Sequence, residues 1–196
     1  MNAEAVYEAA RQRYADLGID TDAAIRTALD TAISLHCWQT DDITGFEPRT
    51  DTVDGGGILA TGNYPGRARN GDEARADLDC AMALIPGRQR VNLHASYAET
   101  ATPVARDALD AGCFRRWMDW AAARGTALDF NPTFFAHPAA DQGSLSHPDP
   151  AIRDFWIRHG RACRRIAQAL AEAQDSPCTL NWWTPDGSKD LPADRS

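Results

Sequence analysis

Four short segments, residues 32–38 (AISLHCW), 90–95 (RVNLHA), 126–131 (TALDFN) and 178–183 (CTLNWW), recur along the chain with long stretches between them. Antiparallel strands can be joined by two residues, whereas parallel neighbours need a crossover of a dozen or more, usually helical. Repetition of strand, long loop, helix and strand therefore points to an α/β fold built on parallel strands. The connections carry helical spacing. Ala74, Leu78, Ala81, Met82 and Ile85 mark a helix over residues 72–84, which Pro86-Gly87 breaks. Val104, Leu109, Phe114, Trp117 and Trp120 mark helical segments that Gly125 ends, and Ile152, Phe155, Trp156, His159, Cys163, Ile166 and Leu170 form one stripe of a long helix starting near Pro148. Two further helices open the chain. Val6, Ala9, Ala10, Tyr14 and Leu17 lie on the first, with Gly18 past its end, and Asp20 or Thr21 caps the second.

A doubly wound sheet and a (β/α) barrel of TIM type both fit this pattern, and two features favour the barrel. The loops after the strand C-termini are long and rich in Trp, His, Asn and Asp, while the turns entering strands are short. No GxGxxG follows the first strand, as a dinucleotide fold would show, and the Gly55-Gly56-Gly57 run lies too far from that strand to cradle phosphate. About four β/α units make half a barrel, whose open edges would leave rows of backbone donors and acceptors unpaired. Residues 1–196 are thus expected to be a single domain, an incomplete barrel comprising N-terminal helices and about the first four units.

Composition removes other classes. A hydrophobic fraction of 43% and a charged fraction of 24% belong to an ordinary globular chain. The net charge of −8 disfavours nucleic acid, and the densest basic run, Arg161 to Arg165, sits on a helical pattern as a solvated face. The acidic, amphipathic N-terminus has no apolar run that could act as a signal peptide or span a membrane. Five cysteines (Cys37, Cys80, Cys113, Cys163, Cys178) without a CxxC pair fit reduced thiols in a cytoplasm.

Polar and aromatic residues gather at the strand C-termini: His36 and Trp38, Asn92 and His94, Asp129, Phe130 and Asn131, Asn181 and Trp183. In a barrel those ends converge on one mouth. Because alternate residues share a face, His36 pairs in phase with Trp38, Asn92 with His94, Asp129 with Asn131, and Asn181 with Trp183. Packing of barrel layers is the competing role for each of them. His159 falls on an apolar helix stripe and reads as packed. His137 and His147 lack metal-ligand spacing, Cys37 reads as a strand residue rather than a nucleophile, and no Ser-His-Asp set or paired carboxylates stand out.

The wording of several stretches is more specific. His36-Cys37-Trp38-Gln39 with Asp41-Asp42, Ala60-Thr61-Gly62-Asn63-Tyr64-Pro65-Gly66, Asn92-Leu93-His94-Ala95, Leu128-Asp129-Phe130-Asn131-Pro132, and Asn181 with Trp183, Pro185-Asp186-Gly187 and Lys189-Asp190 resemble bacterial L-rhamnose isomerases in unbroken order. That resemblance implies a (β/α) barrel related to xylose isomerases, homotetrameric, interconverting L-rhamnose and L-rhamnulose with Mn2+ or a similar divalent ion. It implies that Trp38, Phe130 and Trp183 wall the sugar and that His94 hydrogen-bonds a sugar hydroxyl or ring oxygen. It assigns no catalytic and no metal-binding residue to this chain, since the family's ligands belong to later strands, and the isolated chain is expected to be inactive. Alternatives are a non-catalytic remnant, or another isomerase or epimerase of the xylose isomerase-like group.

Overall fold

A computed structural model describes residues 2–36, 45–46, 64–184 and 186–187. Five α-helices and three strands are formed among these residues, in the order α1 (Ala3–Ala15), α2 (Thr21–Asp30), β1 (Ile33–His36), α3 (Gly71–Leu84), β2 (Gln89–His94), α4 (Arg115–Arg124), β3 (Ala127–Asn131) and α5 (Pro150–Ala173). The strands lie in the order β1-β2-β3, and both pairings are parallel, as the long crossovers require.

Local chemistry sets the helix starts. Asn70 accepts a hydrogen bond from the Glu73 N–H at 3.0 Å to open α3, and Asp149 does the same for Ala151 at 2.8 Å to open α5. Asp20, rather than Thr21, caps α2 by accepting from the Ala23 N–H. Gly125 ends α4 at φ +62°, a left-handed conformation that costs glycine no side-chain clash. Helical segments before α4 resolve into two 3-10 turns, Arg106–Ala108 and Ala111–Phe114.

Register divides the sheet into two chemically different faces. Ser34 is opposite Arg90, His36 opposite Asn92, Asn92 opposite Asp129 and His94 opposite Asn131, so these polar residues share one face. Val91, Leu93, Leu128 and Phe130 occupy the other, in the core with Phe114, Trp117, Cys163, Ile166 and Leu170 from the helical layer. Trp117 is fully buried and satisfies its indole N–H on the Tyr97 carbonyl at 3.0 Å. By contrast α1 and α2 bury no residue, and the apolar stripe of α1 stays open, Val6 being 53% and Tyr14 50% exposed, while Leu17 falls past the helix end rather than on it.

Residues 178–183 do not form the expected fourth strand. They make one parallel bridge, Phe130 with Leu180, in which the Phe130 N–H donates to the Thr179 carbonyl at 2.9 Å and the Asn181 N–H to the Phe130 carbonyl at 2.8 Å. Side chains take over the neighbouring backbone groups: the Thr179 N–H donates to Asp129 Oδ1 at 2.7 Å, and Arg90 donates to the Pro177 carbonyl. A ladder cannot extend where its donors and acceptors are already spent, and Pro177 has no N–H to offer.

Candidate functional site

The polar face of the sheet is a buried network at its middle. Arg90 forks onto Asp129, Nη2 to Oδ1 at 2.8 Å and Nε to Oδ2 at 2.9 Å, and the Ser34 hydroxyl donates to Oδ2 at 2.7 Å. Burial raises the Asp129 pKa, but the Arg90 guanidinium, the Thr179 N–H and Ser34 together outweigh it and hold the carboxyl below its ordinary value. Beyond this network lies the C-terminal end of the strands. Asn92 Oδ1 and Ser96 Oγ there are buried without a hydrogen-bond partner among the described residues.

His94, the last residue of β2, is 5% exposed. Its Nδ1 lies 3.2 Å from Thr133 Oγ1, and its ring packs tilted on Tyr97 at 5.2 Å and edge-on to Phe135 at 6.2 Å between centroids. Burial, with a smaller contribution from the charges of His36 and Arg106, pushes its pKa down to about 3, so the imidazole is neutral at physiological pH. Trp183 meets the same Phe135 edge to face at 4.8 Å between centroids and keeps 45% exposure. An apolar ring with one accessible side next to a buried imidazole can stack on the C–H face of a small polar molecule while the imidazole bonds its hydroxyls.

The loop after β3 assembles this pair. The Asn131 side chain accepts from the Thr133 N–H at 2.8 Å, and Thr133 and Ala136 adopt φ +56° and +53°, strained for non-glycine residues. Arg106, 2% exposed, holds the loop by donating from Nη1 to the carbonyls of Thr133 (2.6 Å) and Phe135 (2.7 Å) and from Nη2 to that of Ala136 (3.2 Å). His159 of α5 lies between the Pro132 carbonyl, 2.6 Å from Nε2, and the Arg106 carbonyl, 2.9 Å from Nδ1. It is the packed histidine its helix stripe suggests, with 0% exposure.

His94 and Trp183, two of the sequence-derived candidates, are thus brought together through Phe135. Phe130 is not with them: it faces the helical layer, fully buried and edge-on to Phe114 at 5.0 Å. Its phase explains this, since it alternates with Asp129 and Asn131 on β3. Trp38 lies outside the described residues, as does Cys37. Thr133, Phe135 and Arg106 escape the sequence reading. Phe134-Phe135, two adjacent aromatics just past a strand end, is the signal that marks the loop, whereas Arg106 has none.

Among the described residues no three His, Cys, Asp or Glu side chains converge to hold a metal ion, and no helix is long and apolar enough to cross a membrane. His137 and His147 each accept, at Nδ1, from a backbone N–H two residues on, Ala139 at 3.1 Å and Asp149 at 3.0 Å.

Parallel strands backed by helices, with a neutral histidine and aromatic side chains near their C-terminal ends, define an α/β protein. The family model described as L-rhamnose isomerase (RhaA) matches residues 1–196, and the chain belongs to that family. It is 51% identical over 195 residues to the L-rhamnose isomerase of Rhodopirellula baltica, covering 99% of this chain and 45% of that protein. With the L-rhamnose isomerase of Yersinia pseudotuberculosis it shares 53% identity over 194 residues, 98% of this chain and 46% of the relative. The chain therefore spans just under half the length of the curated relatives it matches.

Proposed function

We propose that this chain forms the sugar-facing first half of an L-rhamnose isomerase, an incomplete (β/α) barrel of TIM type in which His94 and Trp183 contact L-rhamnose. The observation that carries this is the shared seat of the two rings on Phe135, at 4.8 Å and 6.2 Å, at the C-terminal ends of parallel strands in a chain of that family. Trp183 offers its exposed surface to the apolar face of the deoxy-sugar, and His94 forms one hydrogen bond to the sugar. Phe130 supports β3 from behind.

By resemblance the complete enzyme would use a divalent ion, Mn2+, whose Lewis acidity would serve to polarise the sugar carbonyl. No three His, Cys, Asp or Glu side chains converge among the described residues, so these residues do not fit that ion. What this half contributes is orientation and exclusion of water from the sugar's apolar side. A cytoplasmic homotetramer is the assembly the resemblance favours.

The test is calorimetric titration of the chain with L-rhamnose, beside the same titration of Trp183→Ala. Saturable binding that weakens at least severalfold in the variant is expected. Absence of binding at tens of millimolar sugar, or equal affinity in both, contradicts the reading.

A further inference from the structure

One hydroxyl sits among three partners beside the site. Thr133 Oγ1 is 3.2 Å from His94 Nδ1, 3.1 Å from the Ala95 N–H nitrogen and 3.3 Å from the Asn131 carbonyl oxygen. A threonine hydroxyl has one proton and two lone pairs. The Ala95 N–H can only donate, so it occupies one lone pair. The Asn131 carbonyl can only accept, so it takes the proton. His94 Nδ1 is left facing the second lone pair and must carry a hydrogen. In the opposite arrangement the hydroxyl donates to Nδ1 and the Asn131 carbonyl loses that donor, while Nε2, which has no partner among the described residues in either case, changes from a bare acceptor to an orphan N–H, the rarer of the two in buried sites. Leaving a buried group unmatched costs about 1–3 kcal/mol, so the arrangement that keeps the donor on the Asn131 carbonyl prevails.

We infer that Thr133 is the positioning residue that fixes His94 as its Nδ1–H tautomer, leaving a lone pair on Nε2. The backbone around it is built to hold that hydroxyl in place. Thr133 keeps φ +56° because Asn131 Oδ1 grips its N–H and Arg106 grips its carbonyl, while His159 anchors the preceding Pro132 carbonyl. The neutral imidazole of His94 is what makes a tautomer choice possible at all. Resting on the isomerase reading for what meets Nε2, the consequence is specific: a bare Nε2 accepts from a sugar hydroxyl and cannot donate to a ring ether oxygen, which has no proton to share. Of the two bonds the family resemblance leaves open for His94, this selects the hydroxyl.

Long-range 1H–15N correlation spectra of the chain at neutral pH report ring tautomers directly. For His94 a protonated, pyrrole-type Nδ1 shift and an unprotonated, pyridine-type Nε2 shift are expected. Thr133→Ser, which keeps the hydroxyl, retains that pattern, and Thr133→Val moves the ring toward Nε2–H. A wild-type ring already protonated at Nε2, or a Thr133→Val ring that stays Nδ1–H, overturns the inference; the wild-type and Thr133→Ser spectra decide it should Thr133→Val not fold. Because the spectrum needs no sugar, failure to bind L-rhamnose would sink the functional reading while leaving this one standing.

Discussion

Arg90 and Asp129 sit diagonally on adjacent parallel strands, Arg90 opposite Ala127 and Asp129 opposite Asn92, and join at 2.8 Å, with side-chain exposures of only 16% and 3%. Such a pair in a sheet interior is costly to break from one side, because the surviving charge stays desolvated. Asp129 also gathers Ser34 of β1 and the Thr179 N–H of the last described segment. Asp129→Ala should therefore lower unfolding free energy by about 3 kcal/mol, measured by urea denaturation, and Asp129→Asn by less, since the amide oxygen still accepts. A loss below about 0.5 kcal/mol in Asp129→Ala would place the pair among the negligible surface bridges.

Gly160 of α5 is where the helix makes room for Trp182. A β-carbon built there overlaps Cη2 of the indole and sits 3.0 Å from Cζ2 and 3.3 Å from Phe134 Cζ. Since Trp182 lies 4.8 Å from Phe134, Gly160→Ala must push the indole off its seat, with the neighbouring Trp183 in tow. A destabilisation of about 1–3 kcal/mol is expected from this overpacking, net of alanine's better helix propensity. A shift in tryptophan fluorescence should accompany it; an unchanged emission spectrum with wild-type stability would show that the indole is seated elsewhere.

How much of this was legible in the residue string follows from what each signal measures. Crossover spacing revealed parallel strands, and period-2 alternation placed Asn92 with His94 and Asp129 with Asn131 on one face, as the register has them. The same alternation puts Phe130 behind the sheet, so the wall role that the family resemblance implies for it runs against its phase on β3. The fourth strand failed for a different reason: an alternating segment signals strand propensity, but Arg90 and Asp129, distant in sequence, capture the backbone groups a ladder would need. Arg106 resembled any surface arginine, because a role defined by three carbonyls nearly thirty residues away leaves no local trace.

The burial of His94 also fixes a pH dependence. Unfolded, the ring titrates near 6.5; folded, burial lowers this to about 3. Between those values the unfolded chain binds a proton that the folded chain refuses, so the stability contributed by the neutral ring is whole above pH 6.5 and drains away as pH falls toward 3. Relative to His94→Gln, the wild type should lose about 1.4 kcal/mol more per pH unit below 6.5. Urea melts of both proteins at pH 7.5 and 5.5 supply the comparison, and parallel pH slopes would mean that the ring is solvated.

The contact between sugar and protein is the point on which the functional reading turns, and saturation transfer from L-rhamnose to assigned ring protons of the chain measures it. Transfer is expected at Trp183 and at His94, with Phe130 silent behind the sheet. Bound sugar that saturates neither ring, or that marks Phe130 instead, would contradict the placement of the site at the strand ends.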